Sequence, residues 1–386
     1  MFYNLFSFFV WLFLTPFILV FSFKKKYKKS LPARFFLYKN PPLKKADVHF
    51  HACSFGEISA LEILALKFES FSFTTTTATG FEKAKSLNEN TRFLPFECFI
   101  PFWLTKSKVL VVFEAELWLN LVKTAKKNGS YVILLNARIS DRSYKRYEKF
   151  KFYYKEIFKY IDLVLAQSQL DKTRLLNLGA KNIEVVGNIK SANFKPASKD
   201  YPKFSEFLVT IASTHDGEEE LILNNITPNK NQKFIIAPRH PERFCKVAKI
   251  CEDFAKKFNL KFEKFSQNLG FKSNIILLDT MNEVINFYKI SDVVVLGGSF
   301  IDGIGGHNPI EIAQFNKPLI NGYFYHNQKA LFELVDGVNF SDLSNLNELL
   351  SSNLSKTMIK NKADLKSIEN LIKIKIKEQN GCWKSI

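Results

Sequence analysis

The chain has 386 residues, of which 55 are Lys or Arg and 37 are Asp or Glu, giving a formal net charge of +18. This length is sufficient for two domains, each with its own hydrophobic core. The five cysteines are odd in number and lack CxxC spacing, which argues against a disulfide framework and a zinc site.

The basic excess is concentrated in the first half of the chain. Residues 1–190 contain 30 basic and 15 acidic residues, so a net charge of +15 lies there and +3 in the rest. Such a charge indicates an anionic partner, either nucleic acid or an acidic membrane with its lipids.

The first predicted element is an apolar helix over residues 1–23. Residues 2–23 carry no charge and would form a helix roughly 33 Å long, enough to cross a hydrocarbon core of about 30 Å. A basic juxtamembrane linker follows over residues 24–46, beginning with the run KKKYKK. The positive-inside rule places the rest of the chain in the cytoplasm. We therefore expect a single membrane anchor, with shallow in-plane insertion as the alternative because Pro16 allows a kink.

Short apolar runs then alternate with helical stretches, which predicts parallel sheets covered by helices on both faces. We expect two such domains, over residues 47–190 and 205–350, joined by a linker, 191–204, and followed by a helical tail, 351–386. The ligand is expected at the carboxyl ends of the strands, in a cleft between the domains. The predicted strands are 48–52, 72–77, 109–113, 131–135, 163–166, 184–186, 207–212, 234–237, 275–278, 293–296 and 319–320.

Acidic motifs follow two strands of the first half. In His51-Ala-Cys-Ser-Phe-Gly-Glu57, Ser54 and Glu57 have the spacing of a capping box, so Glu57 either caps a helix or serves as a general base. Glu114 and Glu116 follow the strand 109–113, where carboxylates are either functional or part of a solvated surface. The motif GNIK, ending at Lys190, lies just before the linker.

The second half carries polar residues at matching places. Arg239 follows the strand 234–237 and is suited to a bidentate phosphate contact, or else to a structural ion pair with Glu242. Asp279-Thr280-Met281 ends another strand. The sequence has no DxD pair and no His/Asp cluster at metal-ligand spacing, so a metal-independent mechanism is the simpler prediction.

A glycine-rich turn follows the strand 293–296. The turn contains Gly297, Gly298 and Gly306. It is followed by Asn308 and Pro309, with Glu311 three residues after Asn308, and this pattern predicts a helix start. A strand that leads through glycines into a helix N-terminus can bind an anionic group with unpaired N–H groups. The alternative is that the glycines only turn the chain and Glu311 only completes a capping box.

Seven motifs in this order resemble those of the Kdo transferases: HACSFGE, FEAELWLN, LNARIS, GNIK, ASTHDGEE, APRHPERF and GGS…GGHNPIE. These are membrane-associated enzymes of lipopolysaccharide synthesis, which move 3-deoxy-D-manno-octulosonic acid (Kdo) from CMP-Kdo to lipid A precursors. The resemblance extends from the N-terminal segment to about Asn327. It implies an α/β GT-B fold with two Rossmann-like domains facing a cleft, and the C-terminal domain is expected to bind the nucleotide. It also implies that the enzyme acts at the cytoplasmic face of the inner membrane.

The resemblance also implies roles for individual residues. Glu57 is the expected general base on the acceptor hydroxyl, and Glu114 and Lys190 are expected to support the transition state. The anomeric centre should invert, without a metal or a cofactor. The expected contacts to CMP are Pro238, Arg239, Asp279, Thr280, Met281, Gly306, Asn308, Pro309, Ile310 and Glu311.

Three alternatives remain open on the sequence alone. One is a nucleotide-sugar epimerase of the same two-domain architecture, which has no evident need for an anchor or a basic first half. Another is a membrane-tethered nucleic-acid-binding protein, supported by the aromatic and basic segment 144–160. That segment also suits a helix near anionic lipid, so we expect CMP-Kdo, a lipid A precursor and an anionic membrane as partners, and no nucleic acid. The third is an inactive scaffold, against which the intact Glu57 and Arg239 count.

Overall fold

The computed structural model describes residues 2–192, 196–267 and 270–383, so residues 193–195 of the predicted linker lie outside the described part. The chain divides into two units, Met1–Asn193 with Asn361–Ile386, and Phe194–Lys360. We call them the N-terminal unit and the C-terminal unit.

The N-terminal unit is built on a seven-stranded parallel sheet. Its strands are β1 (Ala46–His51), β2 (Phe71–Thr75), β3 (Thr91–Phe93), β4 (Ser107–Phe113), β5 (Tyr131–Ala137), β6 (Leu163–Ala166) and β7 (Ile183–Val185). They are ordered β3-β2-β1-β4-β5-β6-β7. The helices are α1 (Phe2–Ser22), α2 (Ser30–Phe36), α3 (Phe55–Ala65), α4 (Ala78–Leu87), α5 (Ile100–Trp103), α6 (Leu119–Lys127), α7 (Asp141–Lys149), α8 (Lys151–Phe158) and α9 (Gln169–Asn177), with 3₁₀ turns at Glu97–Phe99 and Ile189–Ala192.

The C-terminal unit repeats this plan. Its strands are β8 (Phe207–Thr214), β9 (Gln232–Pro238), β10 (Phe262–Lys264), β11 (Ile275–Leu277), β12 (Val293–Leu296), β13 (Leu319–Asn321), β14 (Val335–Asp336), β15 (Val338–Phe340) and β16 (Met358–Ile359). Seven form a parallel sheet, β10-β11-β9-β8-β12-β13-β15, and β14 pairs with β16 antiparallel. The helices are α10 (Glu218–Asn224), α11 (Phe244–Lys257), α12 (Val284–Ile290), α13 (Ile310–Ala313), α14 (Lys329–Phe332) and α15 (Leu346–Ser351), with 3₁₀ turns at Pro241–Arg243 and Phe265–Gln267.

Strand β4 shows why the sequence forms such a sheet. Val109 and Val111 pack into one core while Leu110 and Val112 pack into another, on the opposite face of the sheet. Since successive side chains of a strand alternate between its faces, a continuous apolar run requires helices on both sides.

The last helix, α16 (Leu365–Trp383), belongs to the N-terminal unit, where Ile368 and Ile372 are buried in the same core as Val109. The chain preceding α16 meets the unit at Gly187, which has φ +83°. A Cβ at this position would lie 2.4 Å from the carbonyl oxygen of Asn361, so only glycine fits this approach.

The predicted fold class is confirmed as two Rossmann-like α/β domains with parallel sheets and an apolar N-terminal helix. The prediction missed the two-residue strands β14 and β16 and, in the parallel sheets, the strands β3, β10 and β15 of three residues. The latter three share one property. Each includes a charged or amide side chain, Arg92, Glu263 or Asn339, within a run too short to show a period.

Helix α1 is long and apolar enough to cross a membrane, a criterion that buried core helices and signal sequences also meet. One side of α1 is fastened to the N-terminal unit. The Tyr3 hydroxyl donates to Glu97 Oε1 at 2.9 Å, and Trp11 Nε1 donates to the Phe35 carbonyl at 2.8 Å. Its other side is exposed, with Phe13 73% accessible. The helix therefore combines a docked face with an apolar outward face.

Candidate active site

Glu57 lies in the first turn of α3, where the predicted capping box is formed. Its carboxylate accepts the Cys53 N–H at 2.8 Å and the Ser54 hydroxyl at 2.9 Å. Ser54 Oγ in turn accepts the Glu57 N–H. Burial, and to a smaller extent the nearby Glu114 and Glu116, raise the pKa of Glu57. A carboxylate held in place with a raised pKa suits a general base that works near neutral pH.

Glu114 follows β4 in a left-handed conformation, with φ +54°. Lys190 Nζ lies 2.6 Å from Glu114 Oε1. Asn136, also left-handed at a bulge in β5, donates to the same oxygen at 3.3 Å and accepts the Ile189 N–H at 2.9 Å. Asn136 thus fixes the turn that carries Lys190. Strained non-glycine residues concentrate at functional sites, and here they bring two predicted catalytic residues into contact.

Glu116 and His51 join this group. The sequence left Glu116 either functional or part of a solvated surface, and the only signal for His51 was its place in the motif HACSFGE. Trp118 Nε1 donates to Glu116 Oε2 at 2.9 Å, and His51 Nε2 lies 3.8 Å from that oxygen. Burial alone would raise the pKa of Glu116, but His51 and Trp118 hold it below its usual value. We call Glu57, Glu114 and Glu116 the acidic site.

The imidazole of His51 is anchored at one nitrogen only. Nδ1 lies 2.9 Å from Thr74 Oγ1, while Nε2 is buried and has no hydrogen-bond partner within the described residues. Nε2 faces Glu116 Oε2 at 3.8 Å, which is beyond hydrogen-bond distance.

The C-terminal unit contains a cavity of about 460 Å³ at the carboxyl ends of β8, β9 and β11. We call it the donor cavity. It brings together five of the ten predicted CMP contacts, namely Pro238, Arg239, Thr280, Met281 and Glu311. The other residues that line the cavity were not predicted from the sequence, and only two of them, Ser213 and Ala237, belong to a motif quoted above. The full set is Pro196, Ser198, Ser213, Ala237, Leu278, Asn282, Val284, Ile285 and Asn286.

Arg239 is exposed at the donor cavity, and its guanidinium has no hydrogen bond or ion pair among the described residues. The alternative pairing with Glu242 is not formed; Glu242 lies 4.0 Å from His240 instead. Thr280 Oγ1, on the same cavity, is buried without a partner in the part of the chain that the structure describes. The cavity therefore offers a guanidinium fork and a hydroxyl whose hydrogen-bonding capacity is unused.

The motif ASTHDGEE supplies the support for this cavity. Ser213 is left-handed, with φ +57°, at a bulge in β8 that matches the one at Asn136 in β5. Glu218 is fully buried, and its carboxylate accepts backbone N–H groups at 2.7 to 3.1 Å. The donors are His215, Gly298, Ser299 and Phe300. Glu218 thus joins the end of β8 to the glycine-rich turn after β12.

Glu219, next to it, is also fully buried. Arg243 donates to both of its oxygens, at 2.8 and 2.6 Å, and the Thr214 hydroxyl donates at 2.6 Å. The two acidic residues therefore have structural partners, and Arg239, rather than Arg243, remains available for a ligand.

Two histidines lie beside Arg239. His215 Nε2 and His307 Nε2 are 2.9 Å apart. Burial lowers the pKa of both, that of His307 to about 4, and the charge of Arg239 lowers both further. The guanidinium of Arg239 thus disfavours protonation of both rings.

Asp279 precedes Thr280 but does not line the donor cavity. Its carboxylate accepts the Ser266 N–H at 2.8 Å and the Ser266 hydroxyl at 2.6 Å. Contact between Asp279 and CMP stays a prediction.

The remaining predicted contacts surround the start of α13. Gly306, with φ +88°, donates its N–H to the Gly298 carbonyl at 2.7 Å. Asn308 Oδ1 accepts the Ile310 N–H at 3.0 Å, so the chain turns into the helix across Pro309 as expected. The helix has only four residues, and Ile310 is fully buried. A direct role in binding CMP stays a prediction for these four residues.

Within the described ranges, no group of three or more His, Cys, Asp or Glu side chains is arranged to hold a metal ion. Metal independence stays a prediction.

Comparison with known proteins places these motifs in a family. Residues 29–193 match the model of the 3-deoxy-D-manno-octulosonic-acid transferase (kdotransferase) family. A 3-deoxy-D-manno-octulosonic acid transferase of Haemophilus influenzae is 33% identical over 344 residues, covering 80% of this chain and 78% of that protein. A bifunctional glycosyltransferase/methyltransferase of Fusobacterium nucleatum is 36% identical over 310 residues, covering 72% of this chain but only 48% of that protein. This chain thus spans about half the length of the latter relative.

Among solved structures, the C-terminal CMP-Kdo binding domain of WaaA from Acinetobacter baumannii is 24% identical and aligns with a TM-score of 0.34. The alignment covers 46% of this chain and 89% of that domain.

Proposed function

Because this chain belongs to the family of 3-deoxy-D-manno-octulosonic acid (Kdo) transferases, we propose that it transfers Kdo from CMP-Kdo to a lipid A precursor of the lipid IVA type. The family predicted from the seven motifs is confirmed, and with it the assignment as a glycosyltransferase. The transfer we propose inverts the anomeric centre, needs no metal, and takes place at the cytoplasmic face of the inner membrane.

The donor cavity is the observation that carries this proposal, since it gathers Arg239, Thr280 and Glu311 around one space. Arg239 binds the phosphate of CMP-Kdo through a bidentate contact, and Glu311 accepts hydrogen bonds from the ribose hydroxyls. As the bond between the anomeric carbon and the phosphate oxygen breaks, CMP leaves with the electron pair. Arg239 then stabilises the charge that develops on the phosphate.

The acidic site activates the acceptor. Glu57 removes the proton of the acceptor hydroxyl while that oxygen attacks the anomeric carbon from the side opposite to CMP, so the configuration inverts. The hydrogen bonds from Cys53 and Ser54 hold the carboxylate, and burial keeps its pKa above the usual value. The ion pair of Glu114 and Lys190 supports the transition state.

Access to a lipid acceptor requires attachment to the bilayer. The outward face of α1 inserts into the apolar region, and the basic run after it meets anionic headgroups, each nearby basic residue contributing about 1 kcal/mol. The acceptor is then reached at the surface where it resides.

Release of CMP tests the proposal. Protein in detergent is incubated with CMP-Kdo alone, with CMP-Kdo and a tetraacylated lipid A precursor, and with both plus EDTA. We expect CMP release only when the acceptor is present, unchanged by EDTA, with an inverted anomeric configuration by NMR. CMP release without the acceptor would contradict transfer to that acceptor, and a retained configuration would contradict inversion. A loss of activity with EDTA that a divalent metal restores would contradict metal independence. Epimerisation of a nucleotide sugar would favour the epimerase alternative, and a salt-sensitive gel shift with nucleic acid would favour the nucleic-acid-binding alternative.

A further inference from the structure

A second cavity, of about 320 Å³, lies in the N-terminal unit between α1 and the loop that follows β4. Phe6 and Val10 of α1 form one wall, and Leu117 and Trp118 of the loop form the opposite wall. Glu116 of the acidic site also lines it. The cavity thus connects the apolar helix with the carboxylates to which we assign acceptor activation.

The polar groups around this cavity are bonded to one another. The Tyr3 hydroxyl donates to Glu97 Oε1 at 2.9 Å and lies 3.2 Å from the Tyr153 hydroxyl, while Glu97 Oε2 accepts the Asn120 N–H at 2.9 Å. Trp118 donates its indole N–H to Glu116 at 2.9 Å. Because these donors and acceptors are used, the remaining surface is formed mainly by aliphatic and aromatic carbon, which favours an apolar ligand.

The position of the cavity indicates where such a ligand comes from. The same helix that forms its wall carries a long exposed apolar face, with Phe2, Phe13 and Phe17 at 92%, 73% and 56% accessibility. With this face of α1 in the bilayer, the cavity wall formed by Phe6, itself 64% accessible, lies next to the hydrocarbon. The volume lies at the lower end of ligand pockets, about 300–1,000 Å³, and suits one chain rather than a whole lipid.

We propose that this cavity binds one acyl chain of the lipid acceptor and thereby holds the acceptor's sugar at the acidic site. The identification of the bound lipid as the acceptor rests on the function proposed above, whereas the presence of an acyl-chain site does not. In this arrangement α1 recognises the substrate as well as attaching the protein to the membrane.

Filling the cavity tests the inference. Val10→Phe adds an aromatic ring inside it, while Leu12→Phe adds a similar ring on the exposed side of α1 as the matched control. The measured quantity is the ratio of kcat/KM for a tetraacylated acceptor to that for its deacylated, water-soluble form. A buried methylene contributes about fourfold in affinity, so displacing two should lower the ratio roughly 15-fold in Val10→Phe only. An equal ratio in the two variants and the wild type would overturn the inference.

Photolabelling decides the site independently of catalysis. The full-length protein in detergent is labelled with a 12-carbon fatty acid that carries a terminal diazirine, and adducts are mapped by mass spectrometry. Adducts on Leu117 or Trp118 that are reduced in Val10→Phe and kept in Leu12→Phe support the acyl-chain site. This holds even if neither acceptor is glycosylated, because the lack of glycosylation would refute only the proposed function. Adducts confined to the outward face of α1, at residues such as Phe13, would show surface partitioning and refute the cavity.

Discussion

Glu97 links α1 to the start of α6 and should impose a measurable pH dependence on stability. Its side chain is 4% exposed and accepts hydrogen bonds from Tyr3 and Asn120. Burial raises the pKa of Glu97 from 4.5 to about 7, against the lowering effect of these hydrogen bonds. Between these two values the folded chain holds a proton that the unfolded chain has lost, so the free energy of unfolding falls as the pH rises.

The size of the effect follows from the two pKa values. At about 1.4 kcal/mol per pKa unit, the difference between 4.5 and about 7 corresponds to about 3 kcal/mol, most of it lost between pH 5 and pH 8. Glu97→Gln removes the ionisation and keeps an acceptor and a donor at the same place. We therefore expect the free energy of unfolding to fall by about 2–3 kcal/mol more in the wild type than in this variant between pH 5 and pH 8.

Urea unfolding of the full chain in detergent measures this difference. All four tryptophans belong to the N-terminal unit, so their fluorescence follows the unit that contains Glu97. Glu69→Gln, which removes the same charge from an exposed position, is the matched control and should keep the wild-type pH dependence. If Glu97→Gln showed the same loss between pH 5 and pH 8 as the wild type, the buried, proton-binding state of Glu97 would be refuted.

Four further predictions concern the proposed reaction and the membrane. Glu57→Gln keeps the capping contacts, so turnover should fall by roughly 10²–10⁴ at unchanged thermal stability; near-normal turnover would exclude Glu57 as the base. Arg239→Lys loses the bidentate fork and should weaken CMP binding about tenfold by calorimetry, whereas the exposed Arg142→Lys should not; equal affinities would remove Arg239 from the donor cavity. Glu311→Ala should weaken CMP binding more than binding of inorganic phosphate, because ribose contacts are lost; a parallel loss for both would argue against ribose recognition. Phe13→Glu, on the outward face of α1, should reduce sedimentation with anionic vesicles at unchanged CMP affinity, and unchanged sedimentation would show that this face does not enter the bilayer.

Features that depend on neighbouring residues could be predicted from the sequence. The apolar runs predicted the strands of both parallel sheets except β3, β10 and β15, because burial on both faces leaves a continuous signal in strands such as β4 and β12. The spacing of Ser54 and Glu57 predicted the helix start at α3, and the structure contains it. Local patterns of this kind report the propensity and period of one element.

Features that depend on distant residues could not be predicted in this way. Glu218 and Glu219 occur in a run of charge typical of an exposed helix start, yet both are fully buried because the turn after β12 and Arg243 supply their partners. Hydropathy likewise showed that α1 suits a bilayer but not that Tyr3 fastens it to Glu97. Such contacts are created by the fold, which brings together side chains far apart in sequence.

The donor cavity shows the same division. Arg239, Thr280 and Glu311 were expected from their motifs, but the wall contributed by α12 was not, since Ile285 and Asn286 carry no motif and are placed by packing of that helix. A motif therefore identified the chemical groups, and the tertiary structure defined the space they enclose.

Mass spectrometry of the reaction product tests the proposed transfer most directly. The purified chain is incubated with CMP-Kdo and a tetraacylated lipid A precursor, in parallel with Glu57→Gln. We predict that the wild type increases the mass of the acceptor by one Kdo residue or a whole multiple of it, and that Glu57→Gln yields little or no product. An acceptor of unchanged mass after incubation with folded wild-type protein that binds CMP-Kdo would contradict the proposed function.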